Sequence, residues 1–266
     1  MPFGQLMTHI EARLSQPRLR LLKTGYVNLR CLPIRQAIHL PIKIYGRFAI
    51  HALGEIRIES PRIVSGMIKF GKFNNKSARP TRVANHGTII FKGHVDIWEG
   101  VLLELGFGAR LEIGDDVILG ENLNIMLRKS CTIGDHCRIA FDTQIMDSDF
   151  HYMVNMETGV IKDCSAPVEI GSYNWIGNKT TIKKGTKTPD YTIVAGSNSL
   201  LSKDYKELGG GLSYIVLAGC PAKIIGSGVR RIFNFEWEHI LAEHFKKTSE
   251  PYIYKDNGID PFSIPK

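Results

Sequence analysis

IGSYNWIGNKTTIKKGTKTPDYTIVAGSNSL, residues 170–200, sets an apolar residue at every sixth position: Ile170, Ile176, Ile182, Val194 and Leu200, with Thr188 alone out of type. A small residue often follows, as at Gly171, Gly177 and Ala195. A helix repeats at 3.6 residues and a strand at 2, so a period of six with a small neighbour fits neither alone. It fits a parallel β-helix, in which each six supplies one short strand and its corner. Working outward, the same period appears at Val95, Val101, Phe107, Ile113, Leu119 and Ile125, and in a second register at Leu127, Ile133, Ile139 and Ile145. Three sixes close one triangular coil, so residues 18 apart are expected to stack: Val95 on Ile113, Val101 on Leu119, Phe107 on Ile125. The inward residues form the core, and each coil buries its apolar face only against its neighbours.

The repeat divides the 266 residues into three expected parts: a basic cap at 1–52, a β-helix at 53–226, and a helix and tail at 227–266. Early coils are looser, with a surface loop expected near residues 74–81. After Ile145 the period stops until Ile170, and the polar insertion between them contains Asp147, Asp149 and His151. A loop thrown out of a rigid coil is where a site is carried. Residues 229–247 hold Ile232, Phe233, Phe235, Trp237, Ile240, Leu241 and Phe245 at mostly helical spacing, which predicts an amphipathic helix packed on the prism or on a neighbouring subunit.

Composition narrows the function. The formal net charge is +8, and residues 1–50 hold eight basic side chains against the single acid Glu11. Two roles fit that segment, which is expected to form one or two short helices. It can cap the open end of the β-helix, where exposed edges invite pairing, and it can make peripheral contact with an anionic membrane surface. The charge lacks interleaved aromatics, which argues against nucleic acid. Five cysteines, odd in number and without a CxxC pair, argue against a disulfide framework or zinc site and for a reducing cytoplasm. No secretory signal or run of about 18 apolar residues is present.

Candidate chemistry centres on DSDFH, residues 147–151. In an extended segment Asp147, Asp149 and His151 share one face. A carboxylate beside an imidazole fixes its tautomer and raises its basicity, as a general base requires. Trp175 precedes an inward Ile176, so its indole lies outside the prism as the wall of a groove or under a loop. Gly177, Ala195, Gly196 and Ser197 leave backbone amides open to a polar chain such as pantetheine, and Lys203, Lys223, Arg230 and Arg231 are cations suited to phosphates.

The long repeat, DSDFH, NWIGNKTTIKKG followed by IVAGSNSLLSKD, and AGCPAKIIG together resemble the hexapeptide-repeat acyltransferases, in particular coenzyme A-dependent O-acetyltransferases of sugars and polysaccharides. The resemblance covers roughly residues 95–226. Cys220 stands where Asn is common, and residues 205–214 are longer than usual, so groove contacts there do not carry over. The resemblance implies a mainly β fold, a single-stranded left-handed parallel β-helix with an N-terminal cap segment and a C-terminal α-helix, assembled as a homotrimer with its active site between adjacent prisms. It implies acetyl-CoA as donor, a sugar or glycan as acceptor and a role in bacterial surface polysaccharide biosynthesis; the basic N-terminal segment, outside the resemblance, favours a lipid-linked glycan and the cytoplasmic side, at or near the inner face of the membrane, and no metal is expected. His151 would be the base, held by Asp149 or Asp147, with Asn124 one coil below it binding the acceptor.

Other readings remain. One is N-acetylation of an amino sugar; another is a non-catalytic β-helix that binds a glycan or serves as a scaffold. A zinc hydratase on the same prism needs histidines five positions apart on a coil, and His239 and His244 fall on different faces of the expected C-terminal helix. A sugar-nucleotide transferase would need a Gly-rich phosphate loop, which residues 1–94 lack.

Overall fold

The computed structural model describes residues 17–72, 79–255 and 258–264. Short strands of two to four residues dominate, each alternating a buried with a half-buried or exposed side chain, as a pleated strand with one inward face must. They stack in parallel on three faces, giving the expected parallel β-helix. The first face carries β1 (Ile42–Ile44), β3 (Ile68–Phe70), β5 (Val95–Ile97), β8 (Val117–Leu119), β11 (Arg138–Ile139), β14 (Trp175–Ile176), β17 (Ile193–Val194) and β19 (Val216–Gly219), closed by antiparallel β20 (Ala222–Gly226). The second carries β6 (Leu102–Leu105), β9 (Asn124–Leu127), β12 (Gln144–Met146), β15 (Thr181–Ile182) and β18 (Leu200–Leu201). The third carries β7 (Arg110–Ile113), β10 (Ser130–Ile133), β13 (Val168–Ile170) and β16 (Lys187–Thr188). The long β4 (Thr81–Phe91) spans both of these faces, pairing β6 through its first half and β7 through its second, with β2 (Phe48–Ile58) alongside it.

The core is a set of vertical columns. On the first face Ile44, Phe70, Ile97, Leu119, Ile139, Ile176, Val194 and Leu217 lie one above another and are all buried. Each such side chain contributes about 1.5–3 kcal/mol by leaving water. The stack already includes β1 and β2, so coil geometry begins before residue 53.

The spacing of the columns corrects the sequence count. Val95 stacks on Val117, Ile97 on Leu119 and Leu103 on Ile125, steps of 22. Leu119 on Ile139 and Ile113 on Ile133 are steps of 20, and a step of 18 appears only higher up, as Ile170 on Thr188 and Ile176 on Val194. Phe107, expected inward, is 87% exposed at a corner, its ring 5.0 Å from that of His86. Extra corner residues bulge outward without disturbing the inward columns, so early coils are longer while the core stays continuous. Leu200 likewise yields the inward place to Leu201, which stacks on Ile182. Thr188 is buried in the Ile170 column, and its hydroxyl accepts a hydrogen bond from the Gly171 amide. At the corner after Ile176 the coils touch backbone to backbone: a Cβ on Gly177 would lie 2.4 Å from the Gly196 nitrogen, so no side chain fits.

Helices flank the coils. α1 (Leu21–Cys31) buries Thr24, Val27 and Asn28 against the first coils, where the Asn28 side chain bonds both the carbonyl and the amide of Ile42. α2 (Ile34–Ala37) follows Pro33, and the short α3 (Tyr205–Leu208) is capped by the Asp204 carboxylate. The expected C-terminal helix is α4 (Phe235–Phe245), capped by the Asn234 side chain and anchored by buried Trp237, whose Nε1 donates to the Ile259 carbonyl. The loop expected near 74–81 falls mostly outside the described residues.

Candidate active site

The insertion leaves the second face after Met146 and returns at Val168, so the coils on either side stack across it, Ile145 on Ile182 and Ile133 on Ile170. Antiparallel bridges Ser148–Ser165 and Val154–Ile161 fold it into a hairpin-like arm. Its base is tied to the prism by charge. Asp147 is fully buried and its carboxylate accepts from the backbone amides of Arg128 (2.7 Å) and Lys129 (2.6 Å). Burial pushes the Asp147 carboxyl above its ordinary value, against the pull of these amides. Asp149 pairs with Lys183 (3.1 Å) and Lys184 (2.7 Å). Lys129 meets Asp163 at 2.7 Å.

The row of Asp147, Asp149 and His151 expected from an extended segment does not form. Phe150 adopts φ +63° and its amide bonds the Ser148 hydroxyl, so the chain turns just before the histidine. Neither carboxylate reaches the imidazole within the chain: one holds the coil corner below, the other two lysines above. Asp147 and Asp149 thus tie the arm to the coils below and above it and do not contact the ring. His151 itself is exposed, with no hydrogen bond to its ring among the described residues. It opens onto a groove of about 490 Å³ shared with Asn155, Lys162, Cys164 and Lys184. The Ser165 hydroxyl, then Ser148 and Tyr152, draws the Cys164 thiol below its ordinary value. Lys183, Lys184 and Cys164 were not singled out by sequence; the paired lysines of TIKKG, one coil above the DSDFH carboxylates, were the available signal.

Trp175 stands on the outer first face, 42% exposed, with the Arg231 guanidinium 5.4 Å from its ring centroid. The two line a second groove of about 280 Å³ with Trp98, Ala140 and Phe141. No ion pair among the described residues involves Arg231. Arg230 turns elsewhere, onto a column of corner aromatics in which Tyr173 and Tyr191 stack at 4.7 Å, and it lies over Tyr191 at 4.5 Å and Phe262 at 3.9 Å. It is thus occupied in docking the C-terminal segment. Gly196 and Ser197 are exposed at the corner above Gly177, and Lys203 and Lys223 are exposed, but none of them lines either groove. Asn124 pairs with Gln144 at the head of β9, a step of 20 instead of the expected 18, and lies outside the His151 groove. The His151 and Trp175 grooves share no lining residue within one chain.

No protein-family model matches the chain. Over 177 residues it is 28% identical to a probable acetyltransferase of Mycobacterium tuberculosis, covering 64% of this chain and 53% of that protein. Over 184 residues it is 24% identical to galactoside O-acetyltransferase of Escherichia coli, covering 67% of this chain and 82% of that enzyme. The chain is a relative of acetyltransferases. It spans about half the length of the first of these relatives. Among solved structures it is similar to the polySia specific acetyltransferase NeuO, at 18% identity and a TM-score of 0.48, covering 78% of this chain and 99% of that one.

The Asp149 anchor is testable by pH. The Lys184 ammonium, joined by Lys183, holds the Asp149 carboxyl below its ordinary value. A depressed carboxylate stabilises at pH above its unfolded value and ceases to do so as pH falls through its folded one. Hydrogen exchange of residues 150–164, corrected for intrinsic rates, is expected to quicken once the pH drops beneath the ordinary carboxylate range, and to do so already at neutral pH in Asp149→Asn. Equal protection in parent and variant would remove the anchor.

Proposed function

We propose that the chain transfers an acetyl group from acetyl-CoA to a sugar hydroxyl, in the assembly of a bacterial surface polysaccharide. The observation that carries this is the exposed imidazole of His151 at the mouth of an open groove, on the one long arm that interrupts the repeat of a chain related to acetyltransferases. An imidazole whose ring nitrogens hold no internal hydrogen bond can take a proton from an alcohol. In this reading His151 removes the acceptor hydroxyl's proton as that oxygen attacks the thioester carbon. The carbonyl electron pair moves to oxygen, where a backbone amide stabilises the tetrahedral oxyanion, then returns as the carbon–sulfur bond breaks. The imidazolium gives its proton to the departing thiolate.

Trp175 and Arg231 suit the donor: an indole for stacking an adenine or bracing pantetheine, and a guanidinium unpaired with acid for phosphate. Because their groove is separate from that of His151 in one chain, we place the complete site in a cleft between prisms of a homotrimer, where the arm of one subunit faces the first face of the next. The chain would act on the cytoplasmic side, without a metal, on a sugar or lipid-linked glycan. Incubation with acetyl-CoA and a panel of sugars and glycans, following thiol release and acetyl ester by mass spectrometry, tests it. Ester formation that requires acceptor is the expected result; amide formation on an amino sugar would move the reading to N-acetylation, and no thiol release with any acceptor would leave a glycan-binding scaffold.

A further inference from the structure

α1 lays one face on the coils and leaves a second, apolar face uncovered. Helical residues advance about 100° each, so Thr24, Val27, Asn28 and Cys31 form the face laid on the first coils, and Leu22, Tyr26 and Leu29 point the opposite way. These are 91%, 55% and 64% exposed. The outward row continues past Pro33 with Ile34 and Ile38, 64% and 67% exposed. A single surface helix normally turns charge to water on that side. Here the charge lies along the flanks instead, at Arg18, Arg20, Lys23, Arg30 and Arg35, and no acid occurs in the sequence between Glu11 and Glu55. Among the described residues none of those arginines is in an ion pair.

We infer that this face lies on an anionic lipid bilayer, with Leu22, Tyr26, Leu29, Ile34 and Ile38 entering the headgroup–acyl boundary and the arginines meeting lipid phosphates. The pattern of an apolar row bordered by unopposed cations is what such a surface selects. A second copy of the chain would bring the same cations against them, and a nucleic acid would leave the leucines without a partner. With the β-helix attached to the opposite face of α1, the helix can lie in the plane of the interface while the prism stands clear of it. The inference does not depend on acetyl transfer, so failure of either leaves the other standing.

Vesicle sedimentation with the full chain tests it. At about 50 mM salt the protein is expected to pellet with phosphatidylglycerol vesicles and far less with phosphatidylcholine, binding falling steeply with added salt. The exposed triple variant Leu22→Ser/Tyr26→Ser/Leu29→Ser is expected to lose more than about tenfold in affinity with an unchanged thermal transition. Arg30→Gln/Arg35→Gln, which keeps the apolar row, is expected to lose roughly fivefold per cation removed, from the attraction of each basic residue to an anionic surface. A parent that does not pellet, or variants that pellet as the parent does, would overturn the inference. So would a triple variant whose chief change, by light scattering, is a smaller assembly, since the face would then join subunits.

Discussion

Replacing His151 with alanine is expected to reduce acetyl transfer by about 10²–10⁴-fold, the usual contribution of a positioned general base, with the thermal transition unmoved. The ring is exposed and bonds nothing among the described residues, so its removal leaves neither a cavity nor an unsatisfied partner there. The loss should fall on kcat, because the proton is taken in the transition state and not on binding. His151→Gln, similar in size and unable to accept the proton at neutral pH, should be as slow. A variant retaining parental thiol release with acceptor present would end the assignment of the base to this residue.

Asp147, four residues earlier, is expected to behave in the opposite way. Asp147→Ala removes the acceptor of two backbone amides at a buried corner. Leaving buried donors without partners costs on the order of 1–3 kcal/mol each, so a loss of about 2–6 kcal/mol and a melting temperature lower by roughly 5–20 °C are expected for a chain of this size. Asp147→Asn, whose amide oxygen still accepts one of the two bonds, should lose about half as much. Calorimetry decides between the two readings of this carboxylate: a variant that melts like the parent but has lost turnover would return Asp147 to the imidazole.

This contrast marks where linear sequence stops being informative. The two aspartates and the histidine alternate, and alternation predicts a shared face only while the chain stays extended. The left-handed turn at Phe150 ends that condition, and it depends on a Ser148 hydroxyl brought into place by the bridge to Ser165 seventeen residues on. Similarly, Arg230 and Arg231 are neighbours and look equivalent as phosphate ligands. The aromatic column of Tyr173 and Tyr191, assembled from successive coils, captures one, and the indole of Trp175 draws the other toward a groove.

By itself the sequence determined the prism, the interruption that carries the arm, the C-terminal helix and the acid-free basic segment, because each is a local or periodic property: a small corner residue every coil, an inward apolar residue between corners, a charge balance summed along the chain. Only the tertiary structure decided which residues stack. On the first face, apart from the coil that carries the arm, the step between stacked residues runs from 27, at Phe70 on Ile97, down to 18, at Ile176 on Val194, and extra corner residues shift the count without moving the inward columns, since the core fixes where a side chain points while solvent tolerates whatever the corner adds. For the same reason the partners of Asp147 and Asp149, and the outward apolar row of α1, follow from which coil lies beneath and which helix face the prism covers.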